Sequence, residues 1–288
     1  FDGVDSITAV SIGSQIMHMI TVMIVGLSMG ATVCIAQAVG AKDKEKLRYC
    51  IGNTVTVFFI VSLILTGLLL FFTDFIVGVV KTPAEAVAGT KEYLTICFIG
   101  IPLITAYNIV SSILRGMGDS KSPMYFIAIA CVANIILDYV FIGYFKLGAV
   151  GAALGTTLSQ GISVICALTY INRNNSSDSS SFAYLKLKGN IAKRLLRIGI
   201  PICVQDGFIQ VAFMVITVIA NMRGLTDAAA VGIVEKLISF IFLVPSSMLS
   251  TVSAMGAQNI GAGKIDRAKQ TLRYAIYITF IFGVIVGI

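Results

Sequence analysis

Charge is scarce in this chain: only 12% of its 288 residues are Asp, Glu, Lys or Arg, against 57% hydrophobic. Water-soluble domains carry about 25% charge, so a soluble fold is excluded by composition alone. One histidine is present, too few for the two-histidine zinc motif of an intramembrane metalloprotease, and no aspartate-rich metal motif of the prenyl-transferase type occurs. The six cysteines, Cys34, Cys50, Cys97, Cys131, Cys166 and Cys203, show no paired spacing. This excludes a disulfide framework or zinc site and leaves them as small helix-packing residues. Gly261-Ala-Gly-Lys264 lacks both the earlier glycine and the following Ser/Thr of a phosphate loop, since Gln258 and Ile265 stand there, so nucleotide binding is excluded too. No metal, cofactor or enzymatic activity is expected.

What the chain does have is long apolar runs. Crossing a bilayer takes roughly 20 apolar residues, and eight stretches qualify: 7–39, 51–73, 88–114, 123–145, 148–172, 196–221, 227–258 and 272–288. Sixteen Lys and Arg fall in alternate loops and four in the others, which places the richer side in the cytoplasm. The net charge of +7 therefore reflects topology and not a nucleic-acid partner. A shift of 221 residues aligns Ala9-Val10 with Ala230-Val231, Ile12 with Ile233, Ala36-Gln37 with Ala257-Gln258 and Gly40-Ala41 with Gly261-Ala262. The pattern predicts an all-α, polytopic, integral membrane protein built as a parallel repeat of two six-helix bundles, about eight helices being present. With Phe1 at one end and an unbroken apolar run to Ile288 at the other, a longer protein is expected, with one more helix before and three after. The expected organisation is a first bundle over 1–173, a cytoplasmic linker with an amphipathic segment over 174–195, and the start of a second bundle over 196–288. Asn174-Asn-Ser-Ser-Asp-Ser-Ser-Ser181 is flexible by composition, and Ile191, Leu195, Leu196 and Ile198 recur at helical spacing in the basic segment after it, as in a helix lying at the membrane surface. Thr82-Pro-Ala-Glu85 reads as a capping box, and Ser122-Pro123 as an N-cap with proline at the first helical position.

Seven elements together resemble the multidrug and toxic compound extrusion (MATE) transporters of the multidrug/oligosaccharide/polysaccharide flippase superfamily. They are Gly26-Leu-Ser-Met-Gly30, Ala36-Gln-Ala-Val-Gly-Ala41, Leu114-Arg-Gly-Met-Gly-Asp-Ser-Lys-Ser-Pro-Met124, Asn134-Ile-Ile-Leu-Asp-Tyr-Val-Phe141, Gly151-Ala-Ala-Leu-Gly-Thr-Thr-Leu-Ser-Gln160, Ile198-Gly-Ile-Pro201 and Ala257-Gln-Asn-Ile-Gly-Ala-Gly263. The resemblance covers helices two to nine of the family. It implies secondary active efflux by alternating access: antiport of a cation, H⁺ or Na⁺, against cationic or neutral amphipathic drugs, by a monomer spanning the bacterial inner membrane many times. The runner-up is a lipid-linked oligosaccharide flippase of the same superfamily.

A charge at membrane depth costs at least about 2.5–3.5 kcal/mol, so an ionisable residue there is a candidate by default. Asp138, with Asn134 one turn earlier on the same face, is a carboxyl able to exchange a proton or cation. The resemblance adds Thr156 and implies that Asn134, Asp138 and Thr156 belong to one polar cluster in the first bundle. Asp206 and Glu235 are the remaining candidates for the coupling site and substrate cavity, Glu235 as an attractor of cations. The family's deeper glutamate in the helix of Asp206 is replaced here by Gly207-Phe-Ile-Gln210. His18 reads as a hydrogen-bonded packing residue, and Lys236 as a side chain reaching toward water.

The charge asymmetry places the loops 41–50, 115–122, 173–195 and 259–270 in the cytoplasm. A cysteine introduced at Ser180 in a cysteine-free background should resist an impermeant thiol reagent added to intact cells, and its labelling would reverse the topology.

Overall fold

The computed structural model describes residues 3–174, 185, 187–223 and 225–287. The serine-rich linker beyond residue 174 lies outside them. Eleven α-helices follow in order: α1 (Val4–Gly40), α2 (Lys44–Phe71), α3 (Thr73–Val79), α4 (Val87–Ile99), α5 (Ile101–Met117), α6 (Lys121–Asp138), α7 (Gly148–Asn174), α8 (Gly189–Arg223), α9 (Leu225–Ile241), α10 (Leu243–Gly261) and α11 (Ile265–Gly287). A 3₁₀ turn at Ala84–Ala86 precedes α4, and a π-helical turn at Tyr139–Tyr144 follows α6. Among the described residues, six helices are long and apolar enough to cross a membrane. The pair α4 and α5 is long and apolar enough only when taken together, and is bent by 45° at Gly100, two residues before Pro102, which cannot donate into the helical ladder.

Local chemistry sets the helix ends. Asp43 caps α2 by accepting from the Lys46 amide at 2.9 Å. Gly118, at φ 97°, ends α5 in the left-handed region, and the Asp119 amide reaches back to the Leu114 carbonyl at 2.9 Å, the six-to-one bond of a glycine C-cap. Asp119 then starts α6: its carboxylate accepts from the amides of Lys121 (3.1 Å) and Ser122 (3.0 Å), the Ser122 hydroxyl (2.5 Å) and the Tyr170 hydroxyl of α7 (3.2 Å). Burial would raise this carboxyl, but the hydrogen bonds from Ser122, Tyr170 and the Lys121 amide outweigh it and hold it below the ordinary carboxylate range. The cap is thus Asp119, not Ser122 as the sequence suggested. The expected capping box at Thr82 is also absent, because its hydroxyl turns back to the Val77 carbonyl at the end of α3 (3.2 Å).

α1 is the central element. It packs against α2, α4, α5 and α7 on one side and against α8 and α10 on the other. The first side buries Ile16, Ile20, Leu94, Phe98 and Ile101 in one apolar cluster and Ala31, Ile35, Phe58 and Ile113 in a second. The other side is made of glycines. A methyl group at Gly30 would strike the Leu195 carbonyl, one at Gly199 the Leu27 carbonyl, and one at Gly26 would lie 3.1 Å from the Cys203 backbone. Small residues four apart let two helix backbones touch where side chains could not fit.

Lower on the same helix the contact becomes reciprocal: the Cβ position of Gly40 meets the Gln258 carbonyl, and that of Gly261 meets the Gln37 carbonyl. These are equivalent residues under the 221-residue shift, and like surfaces meeting in pairs is what a two-fold relation produces. Arg194 donates to Gln37 at 2.5 Å and Gln258 to the Gly116 carbonyl at 3.0 Å. The ends of α1, α5 and α10 and the start of α8 therefore meet at one level, which is the level of the lysine-rich loops.

The basic segment after the linker departs from expectation. It is not a separate surface helix: α8 starts at Gly189 and runs straight through Pro201, so a boundary at 195 falls inside it. Ala192 and Leu195 are buried among Ala31, Cys34, Ile35 and Cys50, because the glycine face of α1 leaves room for this helix to press in. The cysteines are free, with Cys34, Cys50 and Cys97 buried but Cys131 exposed.

Gly30→Val in the intact protein should cost about 1–3 kcal/mol, the usual penalty of overpacking, read as a lower thermal midpoint in detergent. Gly67→Val, where nothing lies within 4 Å of the added carbon, should leave the midpoint unchanged. Equal midpoints would show that α1 and α8 do not press together.

Candidate functional site

A polar cluster that includes a carboxyl lies between α6 and α7. Asn134 and Asp138 stand one helical turn apart on α6, and the Asn134 amide donates to the Asp138 carboxylate at 3.4 Å. Both side chains are half-buried. The carboxylate lies directly on the backbone of α7, where the Cβ position of Gly155 collides with its Oδ1. Only a glycine leaves that space. The next residue, Thr156, donates to the Ala152 carbonyl of its own helix at 2.9 Å. Its hydroxyl is within hydrogen-bonding reach of Tyr93 on α4, which also reaches the Cys97 thiol. The Tyr93 ring in turn occupies the space left by Gly13 of α1.

Asn134, Asp138 and Thr156 are thus brought together, across four helices, around Tyr93. Asp138 is also the last α-helical residue before the π-helical turn Tyr139–Tyr144, where Phe145 bonds five residues back to the Val140 carbonyl at 3.0 Å. Such widened turns are rare and recur at functional sites. Sequence reading overlooked Tyr93 and Gly155. The available signals were a phenol, one of two with Tyr107, inside the apolar run 88–114 and a glycine next to Thr156; neither shows a partner until the helices are packed.

The other two acids stand elsewhere. Asp206 lies on α8 at the seam between bundles, its Oδ2 2.5 Å from where a methyl on Gly26 would sit. Glu235 on α9 accepts from the Thr217 hydroxyl of α8 at 2.6 Å, a contact within the second half. Asp138, Asp206 and Glu235 therefore occupy three separate settings. Lys236 is exposed, and so is His18, which points away from the core instead of packing in it. Among the described residues no three metal-ligating side chains converge, so a bound cation would be held by one carboxylate with hydroxyl, phenol and amide oxygens.

The sequence profile described as MatE matches residues 1–140 and 201–288. A relative named probable multidrug resistance protein YoeA of Bacillus subtilis is 30% identical over 98% of this chain and 62% of its own length. The probable multidrug resistance protein NorM of Thermotoga maritima is 25% identical over the same shares, and the multidrug export protein MepA of Staphylococcus haemolyticus 28% over 89% and 57%. The chain thus spans about three fifths of the length of these relatives. Among solved structures, a MATE transporter in the bent conformation superposes with TM-score 0.87 at 24% identity, covering 99% of this chain and 64% of the other. A MATE complex with MaD5 gives 0.81 at 26%, covering 99% and 65%. With the profile matching on both sides of the linker and the fold shared over nearly its whole length, this all-α, polytopic membrane chain belongs to the MatE family.

Proposed function

We propose that the intact protein is a secondary active multidrug efflux transporter. It exchanges a cation, H⁺ or Na⁺, against cationic or neutral amphipathic drugs by alternating access, as a monomer in the bacterial inner membrane, with no cofactor beyond the coupling ion and no enzymatic step. The observation that carries this reading is the Asp138 cluster. A half-buried carboxylate, bonded to a single amide at the long limit of a hydrogen bond and set in an apolar bundle, is costly to keep charged. Uptake of a proton or a small cation removes that cost, and release restores it. The group therefore changes its charge with the state of its surroundings, which is what a coupling site must do.

The rest of the architecture supplies the moving parts. The bundles meet at the reciprocal contact of Gly40 and Gly261 and through the glycine faces of α1 and α8. Away from the side chains packed around Leu195, these backbone-on-backbone surfaces can part and re-form, as rocking of one bundle against the other requires. Relatives bearing multidrug-resistance and multidrug-export names support the substrate class. The excess of acids over Lys236 among the ionisable groups at depth agrees with cationic or neutral cargo, and runs against a flippase for anionic carriers.

In proteoliposomes of the intact protein loaded with a fluorescent cationic dye, Asp138→Asn should abolish gradient-driven export while leaving expression and folding near normal, because a buried charge is removed and not added. Asn134→Ala should slow export by roughly tenfold, the worth of one hydrogen bond to a charged group, and Thr156→Ala, whose hydroxyl bonds the Ala152 carbonyl, should slow it less. Unchanged export by Asp138→Asn would move the coupling group to Asp206 or Glu235.

A further inference from the structure

A cavity of about 220 Å³ opens where the C-terminal half of α1 meets the first turns of α2 and α8; it is lined by Cys34, Lys46, Cys50, Asn190, Ile191 and Arg194. It is remote from the Asp138 cluster. Asp138 lies 17 residues into a helix that starts at the same end of the bundle, about 26 Å away along the axis at 1.5 Å per residue.

The lining has two parts. Cys34, Cys50 and Ile191 give apolar walls, and Lys46, Arg194 and Asn190 supply only cationic and amide groups. No carboxylate lines the cavity: Glu45, next to Lys46 in the chain, is exposed and outside the lining, and Asp43 is committed to capping the Lys46 amide at 2.9 Å. Arg194 gives one N–H to Gln37. A guanidinium has five donors in a fixed fork matched to phosphate oxygens, so the remainder stay available. The two helix starts reinforce these charges, since α2 and α8 are 28 and 35 residues long and each carries partial positive charge at its N-terminus. Lys188, held over the Tyr49 ring at 3.1 Å, adds a further cation beside this wall. Farther along α2, away from its charged start, Val55 and Phe59 present exposed apolar side chains, as a helix facing acyl chains does.

An apolar-walled pocket with a cationic rim, placed between helices at the level where basic loops meet the bilayer surface, fits one class of ligand. We propose that it binds the phosphate of an anionic phospholipid headgroup, with Lys46 and Arg194 holding the phosphate oxygens and Asn190 donating to the headgroup. Basic pockets between membrane helices are suited to such lipids by charge and by position. The site stands apart from the transport reading and does not depend on it.

Native mass spectrometry of the intact, detergent-purified protein would test this. Phosphatidylglycerol should be retained in preference to phosphatidylcholine. Lys46→Gln with Arg194→Gln should weaken retention roughly 30-fold, at about fivefold per basic residue near a bilayer surface. Both residues are exposed, so the variant should fold; Asn190→Asp, which places a carboxylate in the cavity, should weaken retention as well. Lys264→Gln with Lys269→Gln, removing the same charge from exposed positions on α11 and the turn before it, should have no effect. Equal loss in that control, or equal retention of phosphatidylcholine, would overturn the site. Inorganic phosphate displacing phosphatidylglycerol at equal concentration would make it a free-anion site and overturn the lipid assignment.

Discussion

The close approach of α1 to α8 and α10 is the constraint on which the rest of the arrangement depends. In a bilayer, apolar side chains gain little by leaving lipid for protein, so helices associate through van der Waals contact and hydrogen bonds. The first half of the chain has the ordinary means for this, with Phe58, Phe98 and Leu94 fully buried and Thr32, Tyr107 and Ser163 donating to carbonyls of neighbouring helices. The contact between halves is different. It is made by Gly26, Gly30 and Gly199, and by the pair Gly40 and Gly261, where the partner is a backbone carbonyl or another glycine's surroundings. α1 belongs to the first bundle by its apolar face and to the seam by its glycine face.

This division has a mechanical reading. A core of interlocked side chains resists sliding, because cores are packed as densely as organic crystals. Where backbone lies on backbone, as at Gly26, Gly30 and Gly199, contact is short-range and is lost all at once on separation; side chains interlock across the seam around Ala192 and Leu195. Polar links between the halves include Arg194 to Gln37 and Gln258 to the Gly116 carbonyl, and, just before α8, the Lys188 amide to Asn53 and Thr56 to the Leu185 carbonyl. Asp206, set against Gly26, is an acid placed at the seam itself, whereas Asp138 is kept inside one bundle. The proposed coupling through Asp138 would act through the packing of α6 on α7, the helix that in turn packs against α4 and α1. The π-helical turn that begins one residue after Asp138 has its hydrogen bonds displaced from the α-helical register.

How much of this was legible beforehand depended on how local the cause was. Six of the eight expected spans followed from run length, the run 88–114 is divided between α4 and α5, and the break at Gly100 lies two residues before a proline visible in the sequence. Asn134 and Asp138 were paired by the helical period alone. The start of α6 was misplaced by two residues because Asp119 can reach Ser122 and Tyr170 only once Gly118 has turned the chain. Thr82 fulfilled the pattern of a capping box, yet the end of α3 offered its hydroxyl the Val77 carbonyl first. The segment from Gly189 looked like a surface helix, since its basic residues and apolar stripe suit an interface. Its stripe was taken up by α1 instead of lipid, as the full burial of Leu195 shows.

The sequence by itself determined that this is a helical membrane protein with a repeated unit and a carboxyl at Asp138, because hydropathy, helical period and the cost of a buried charge act along the chain. It also determined where backbones are able to touch, by placing Gly26, Gly30, Gly40, Gly199 and Gly261. The tertiary structure alone decided what those positions meet. Tyr93 and Gly155 reach the Asp138 cluster from two other helices, Glu235 is taken by Thr217, His18 is turned outward, and Lys46 and Arg194 converge on one cavity from helices far apart in the chain. These are contacts between segments many residues apart, and no periodicity within a helix encodes which face of another helix it will find.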